Sequence, residues 1–276
     1  MKKALLIGIN YIHCPDVDLR GCIDDVVNMQ SMLLTHYGYT AENITILRDD
    51  TTDPALMPTR ANMLAAMRTL FLHSELLSEV WFHYSGHGSQ IHMNGSTTAL
   101  DSVIVPVDYA TAGMITDNDI YTLLRLTRCP TLMLMDCCHS GSVCELPWTT
   151  EYISGTNFQI TKNNRPMLSN NNIYEISGCK DSQTSADFYD TADKMAEGAF
   201  TDSFLRALRA NGYSAPIKTV YAGLCTWLAS QGFTQKPLVS SSSPTLSWQF
   251  TPVLSTAPPL TPAKIIRHHF RTVFWY

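Results

Sequence analysis

Short, continuously apolar runs alternate with segments of helical spacing along most of this chain, and that alternation narrows its folds more than any other feature. Lys3–Ile9 is apolar almost throughout, so it reads as a strand buried on both faces. Cys22, Val26, Met29, Leu33 and Tyr37 follow at helical spacing, and Gly38 is the expected stop. Ile44–Leu47 is a second short strand, and Thr59 caps a helix over Arg60–Leu72. Val80–Tyr84, Val103–Val107 and Thr131–Met135 read as further strands, and a helix starting at Thr116 or Asp117 runs to Leu126. Such repetition predicts an α/β fold with a mostly parallel central sheet and helices on both faces.

The second half is less regular. Thr149 to Asn172 is rich in Thr, Ser and Asn and reads as a long loop. Beyond it the expected elements are a strand at Ile173–Ser177, helices at Phe200–Leu208 and Ile217–Ser230, and a last strand at Leu246–Phe250. From Ser255 the chain is Pro-rich and then basic, with Lys264, Arg267 and Arg271 and no acidic residue. It reads as an appendage, with a partner- or membrane-binding segment as the alternative.

Composition excludes several classes. Only 16% of the 276 residues are charged, which points to extensive burial and away from disorder. A net charge of −5 argues against nucleic acid as a partner. No apolar run approaches the roughly 18 residues of a membrane span. Met1-Lys2-Lys3 followed by an apolar run imitates a signal peptide, but the run is short and no small-residue cleavage site follows. The eight cysteines contain no Cys-x-x-Cys, which argues against zinc and a disulfide scaffold. Most read as small buried hydrophobes of a cytoplasmic protein. No Gly-rich phosphate loop follows a strand, which removes a nucleotide-binding reading.

Chemistry collects at two strand ends. Trp81-Phe82-His83-Tyr84 runs into Ser85-Gly86-His87-Gly88, and Leu132-Met133-Leu134-Met135 runs into Asp136-Cys137-Cys138-His139-Ser140-Gly141. In open α/β sheets ligands bind outside the carboxyl ends of the strands. The glycines allow a sharp turn and close approach. A thiol needs a base to become a nucleophile at neutral pH, and a histidine at a neighbouring strand end supplies one. Either residue alone reads as structural; together they read as catalytic. His83 reads as a core or supporting histidine.

With these turns, the stretches Lys3–Tyr11, Leu19–Asp25, Pro58–Met63 and Ile176–Asp187 closely resemble the metacaspases, a family of caspase-like cysteine proteases. The resemblance implies a caspase-like peptidase domain over 1–254, with a large-subunit half over about 1–148, a linker loop over 149–172, a small-subunit half over 173–254, and 255–276 as the tail. No proline-rich prodomain is read at the amino end. The resemblance places the catalytic dyad on His87 and Cys138, with Cys137 a bystander, and an oxyanion hole on the backbone N–H groups of Gly88 and Cys138. Asp136 lies two residues before the nucleophile, and Asp25 matches the family's other acidic pocket position. Two carboxylates favour Arg or Lys before the cleaved bond and repel Asp. Ser85 and Cys22 complete the expected pocket.

The family's calcium positions fall on Asp101, Asp117, Asn118 and Glu145. Asn118 removes a charge and Glu145 reaches further, so calcium is expected as a weak activator rather than a required cofactor. The alternative reading of Asp117 is a helix cap. Lys162 and Arg165 are the expected self-cleavage sites. The expected protein is a monomeric cytoplasmic endopeptidase acting on peptides and proteins, with an inert caspase-like scaffold as the alternative.

Overall fold

A computed structural model describes residues 1–14, 16–92, 100–137, 144, 146–178 and 198–253. The expected Cys138, Glu145 and carboxyl-terminal tail lie outside the described residues. In chain order the elements are β1 (Lys2–Gly8), α1 (Cys22–His36), β2 (Ile44–Arg48), α2 (Arg60–Leu72), β3 (Glu79–Ser85), β4 (Gly88–His92), β5 (Leu100–Ile104) and α3 (Tyr109–Ala112). They continue with β6 (Ile115–Thr116), α4 (Asp117–Leu124), β7 (Thr131–Asp136), β8 (Trp148–Ser154), β9 (Asn157–Lys162) and β10 (Ile173–Ser177). The last are α5 (Ala199–Ala210), β11 (Ala215–Pro216), α6 (Ile217–Ser230), β12 (Leu238–Ser241) and β13 (Gln249–Phe250).

One eight-stranded sheet, in the order β2-β1-β3-β7-β10-β12-β8-β9, organises the molecule. Its first five strands are parallel, as their apolar runs predict, and the remaining three are antiparallel. Each face carries its own core. On one, Leu5, Ile7, Phe82, Met133 and Met135 pack with Met63, Met67 and Phe71 of α2 and Ile120 of α4. On the other, Leu6, Trp81, Leu134 and Ile176 pack with α1, α5 and α6 through Val26, Phe204 and Leu224. Alternation along each strand feeds the two cores in turn. The helices thus flank both faces, and the α/β expectation holds.

Local chemistry sets the helix starts. The Asn62 N–H donates to Thr59 Oγ1 at 3.3 Å, the expected cap of α2. Thr116 and Asp119 form a reciprocal capping box at the start of α4. That helix stops at Leu124, short of the expected Leu126, because a tighter turn takes over: the Leu126 and Thr127 N–H groups donate to Leu123 and Leu124 carbonyls.

Three other expectations are corrected. Residues 149–172 do not form a long loop. Trp148–Ser154 and Asn157–Lys162 make an antiparallel hairpin at the edge of the main sheet. Its polar sequence hid it, since β9 is mostly exposed on both faces and needs no apolar alternation. The expected strand at Val103–Val107 is displaced to Leu100–Ile104, because the Val105 N–H turns to the His87 carbonyl and Pro106 follows. Only Gln249–Phe250 of the expected last strand pairs, as its partner Ala215–Pro216 is cut short by α6. The serine-rich β12 was not legible as a strand, yet it is buried between β10 and β8.

Candidate active site

The adjacent parallel strands β3 and β7 bring the two reactive turns together. Their register aligns Tyr84 with Met135 and Ser85 with Asp136. Beyond the ends, Gly86 N–H donates to the Asp136 carbonyl at 3.2 Å. Any larger residue at position 86 meets the Tyr84 hydroxyl, since a Cβ there would lie 2.7 Å from Tyr84 Oη. His87 follows, and Gly88 opens β4 opposite Ile104.

His87 is braced from several sides. Its Nε2 lies 2.8 Å from the Val17 carbonyl. A carbonyl only accepts, so Nε2 carries the hydrogen and Nδ1 carries the lone pair. The imidazole packs on the Tyr11 ring at 4.6 Å between centroids. The His87 N–H donates to Tyr11 Oη at 3.0 Å, and the His87 carbonyl accepts from Tyr84 Oη at 2.7 Å. Tyr11 Oη donates in turn to the Val105 carbonyl at 2.6 Å. Burial lowers the His87 pKa, against the opposing effect of the Val17 hydrogen bond. The ring is therefore the neutral base at neutral pH.

Tyr11 itself sits at φ 52°, uncommon for a residue with a Cβ. The turn is held by Asp49, whose oxygens accept from the Asn10 and Ile12 N–H groups at 2.9 and 3.0 Å. Asn10 Oδ1 accepts from the first N–H groups of α1, those of Cys22 and Ile23. Sequence reasoning missed Asn10, Tyr11, Asp49 and Tyr84 as supports. Tyr11 lay in a matched stretch, but its partners are 73 to 94 residues away.

Cys138 lies outside the described residues. Cys137, the last described residue before it, is buried in the apolar cluster with Tyr84 and Met135. Cys22 is buried in that same cluster.

The carboxylates meet beside this turn. Asp25 is 5% exposed and accepts from Ser85 Oγ at 2.8 Å. Burial and the neighbouring Asp136 charge push its pKa well up. Asp136 Oδ2 accepts from the Thr201 N–H at 3.0 Å and the Thr201 hydroxyl at 2.6 Å. Burial raises its pKa to about 6, while the two Thr201 bonds pull it down. Among the described residues neither carboxylate pairs with a Lys or Arg.

The remaining expected residues divide. Asp101, Asp117 and Asn118 meet where β5 approaches the start of α4. Asn118 Nδ2 donates to Asp101 Oδ2 at 3.4 Å, and buried Asp117 accepts from the Ser102 and Asn118 N–H groups at 3.1 and 2.7 Å. Asp119, not Asp117, forms the capping box. Among the described residues no group of three or more His, Cys, Asp or Glu could hold a metal ion. Lys162 closes β9 with its ammonium 5.7 Å from the Trp148 ring centroid, and the following Asn163 N–H donates to the Pro147 carbonyl. Arg165 is exposed and precedes Pro166. Among the described residues no helix is long and apolar enough to cross a membrane.

Comparison with known proteins decides the family. A metacaspase, peptidase C14 domain model matches residues 2–147. The chain belongs to the metacaspase family. It is 35% identical to Metacaspase-1 of Kluyveromyces lactis over 87% of this chain and 66% of that protein. Metacaspase-1A of Neurospora crassa is 33% identical over 88% of this chain and 63% of its own length. The chain thus spans a little under two thirds of these relatives. A crystal structure of protein GSU0716 from Geobacter sulfurreducens shares the fold, with TM-score 0.61, 19% identity and coverage of 91% of this chain and 99% of that one.

Proposed function

We propose that this metacaspase is a cysteine endopeptidase that cleaves after Arg or Lys through His87 and Cys138. One observation carries the specificity. Asp25 and Asp136 are packed together at the end of β3 and β7 with no Lys or Arg partner among the described residues. Buried like charges are costly unless a cation joins them. A guanidinium or ammonium from a substrate supplies that cation, and an acidic side chain is repelled.

In the reaction, His87 Nδ1 takes the proton of the Cys138 thiol. The thiolate attacks the scissile carbonyl carbon, and the oxyanion is held by the N–H groups of Gly88 and Cys138. The imidazolium returns its proton to the leaving amine as the C–N bond breaks, which leaves a thioester. His87 then takes a proton from water as the hydroxide attacks the thioester carbon. That proton passes to sulfur when the acid product leaves. Supporting the assignment, Cys137 is buried among apolar side chains, where its thiol is poorly placed to attack.

Calcium belongs to the proposal as a weak activator. Asp101, Asp117 and Asn118 offer the oxygen donors a hard cation takes. Two carboxylates and one neutral amide make a low-charge set, and Asp117 already accepts two backbone bonds. Asp101, Asp117 and Asn118 would hold the ion, which would supply positive charge between β5 and α4, with a midpoint on the order of millimolar.

The test uses a thiol-directed peptide carrying Arg before its warhead, applied with and without millimolar calcium. Peptide mapping should find the adduct on Cys138, with Cys138→Ala unlabelled and Cys137→Ala still labelled. An adduct on Cys137, or none in any condition, overturns the assignment.

A further inference from the structure

We propose that Thr201, at the start of α5, is a positioning residue for substrate specificity, acting through Asp136. The inference deepens the Arg/Lys reading above and rests on it.

The Thr201 backbone N–H is one of the unpaired donors in the first turn of α5, and it donates to Asp136 Oδ2 at 3.0 Å. The Thr201 hydroxyl donates to the same oxygen at 2.6 Å. With its single hydrogen committed there, Thr201 Oγ1 must accept from His83 Nε2, which lies 3.2 Å away. His83 is fully buried, and its Nδ1 has no partner among the described residues. That nitrogen therefore holds the lone pair, since an unpaired N–H is the more costly alternative. A directed chain results, from His83 through Thr201 to Asp136. Both protein bonds fall on Oδ2, which fixes the carboxylate plane and leaves Oδ1 to a substrate cation.

The helix start also leans on the other carboxylate. Gly198, the residue preceding α5, has φ 77°, and a Cβ there would lie 3.4 Å from Asp25 Oδ1. The residue before α5 thus lies close beside Asp25, while the first turn of α5 holds Asp136. Among the described residues, the titratable groups facing the pair are His83 from β3 and Asp24 and Asp202 from α1 and α5. His83 is held neutral by burial, and the other two are acidic. None of these favours ionised Asp136; the two Thr201 hydrogen bonds do.

The test is Thr201→Val in the full chain, with steady-state cleavage of an Arg peptide followed against pH. KM should rise about tenfold while kcat changes less, because a hydrogen bond to a charged group is lost. The acid limb of kcat/KM should move to higher pH, since Asp136 then takes its proton more readily. Thr201→Ser, which keeps the donor, should restore both within about twofold. If Thr201→Val lacks a cooperative thermal transition, Thr201→Ala is read in the same way. A folded hydroxyl-free variant with wild-type KM and pH profile overturns the proposal, as does Thr201→Ser behaving like Thr201→Val. Wild-type enzyme that fails to cut Arg and Lys peptides instead overturns the specificity reading itself.

Discussion

Two polar regions lie side by side at the carboxyl ends of β3 and β7, and they are built on opposite principles. Around His87 every described contact settles the ring: Val17 fixes its tautomer, Tyr11 supports its face, and two tyrosine hydroxyls hold its backbone. At Asp25 and Asp136 two carboxyl groups that repel when both are ionised are placed together, Asp25 buried and Asp136 half-buried. The first region fixes geometry without storing electrostatic strain. The second carries an electrostatic cost that a proton or a cation relieves. A base needs constant position, whereas a specificity pocket gains discrimination by being incomplete when empty.

The largest effect should come from breaking the second region. Asp136→Asn removes the charge proposed to meet the substrate cation, and kcat/KM for Arg peptides should fall about 10²–10³-fold, as expected for a desolvated ion pair. Steady-state kinetics on matched Arg peptides measures this. In the first region, Tyr11→Phe removes the hydroxyl that joins His87 to Val105 but keeps the ring beneath the imidazole. We expect kcat to fall about tenfold with KM nearly unchanged, alongside a stability loss of about 1 kcal/mol. Equal falls through KM would show that the brace serves binding instead.

The smallest effect concerns stability and pH. Both pocket carboxyls have folded pKa values above their ordinary range. Their favourable contribution is complete below the unfolded pKa near 4 and is lost as pH rises through about 6 for Asp136. Asp25→Asn, which can still accept from Ser85, should therefore raise Tm at pH 8 by about 2–4 °C and change it little at pH 4. Thermal melts at the two pH values distinguish this from a loss of packing, which lowers Tm at both.

Much of this arrangement was legible in the sequence, for identifiable reasons. The four inner parallel strands β1, β3, β7 and β10 are buried almost throughout, so their apolar runs stand out. His87 and both acids lie in glycine-marked turns or matched stretches. The β8–β9 hairpin was not legible because an edge hairpin needs little apolar patterning, and Thr150 and Trp148 sit among polar neighbours. Nor was β12, whose buried positions include the polar Ser240 and Ser241. The supports of the site are tertiary. Thr201 reaches Asp136 across 65 residues and Asp49 holds the Tyr11 turn across 37 to 39, and no local spacing encodes either.

The central claim is that charge in the Asp25–Asp136 pocket selects the residue before the cleaved bond. Matched fluorogenic peptides that differ only there, carrying Arg, Lys, citrulline or Asp, test it most directly. Citrulline keeps the shape of Arg and lacks its charge. Cleavage of Arg and Lys peptides, at least about 100-fold weaker cleavage after citrulline and none after Asp is the expected result. Citrulline cleaved as well as Arg, or efficient cleavage after Asp, would contradict it.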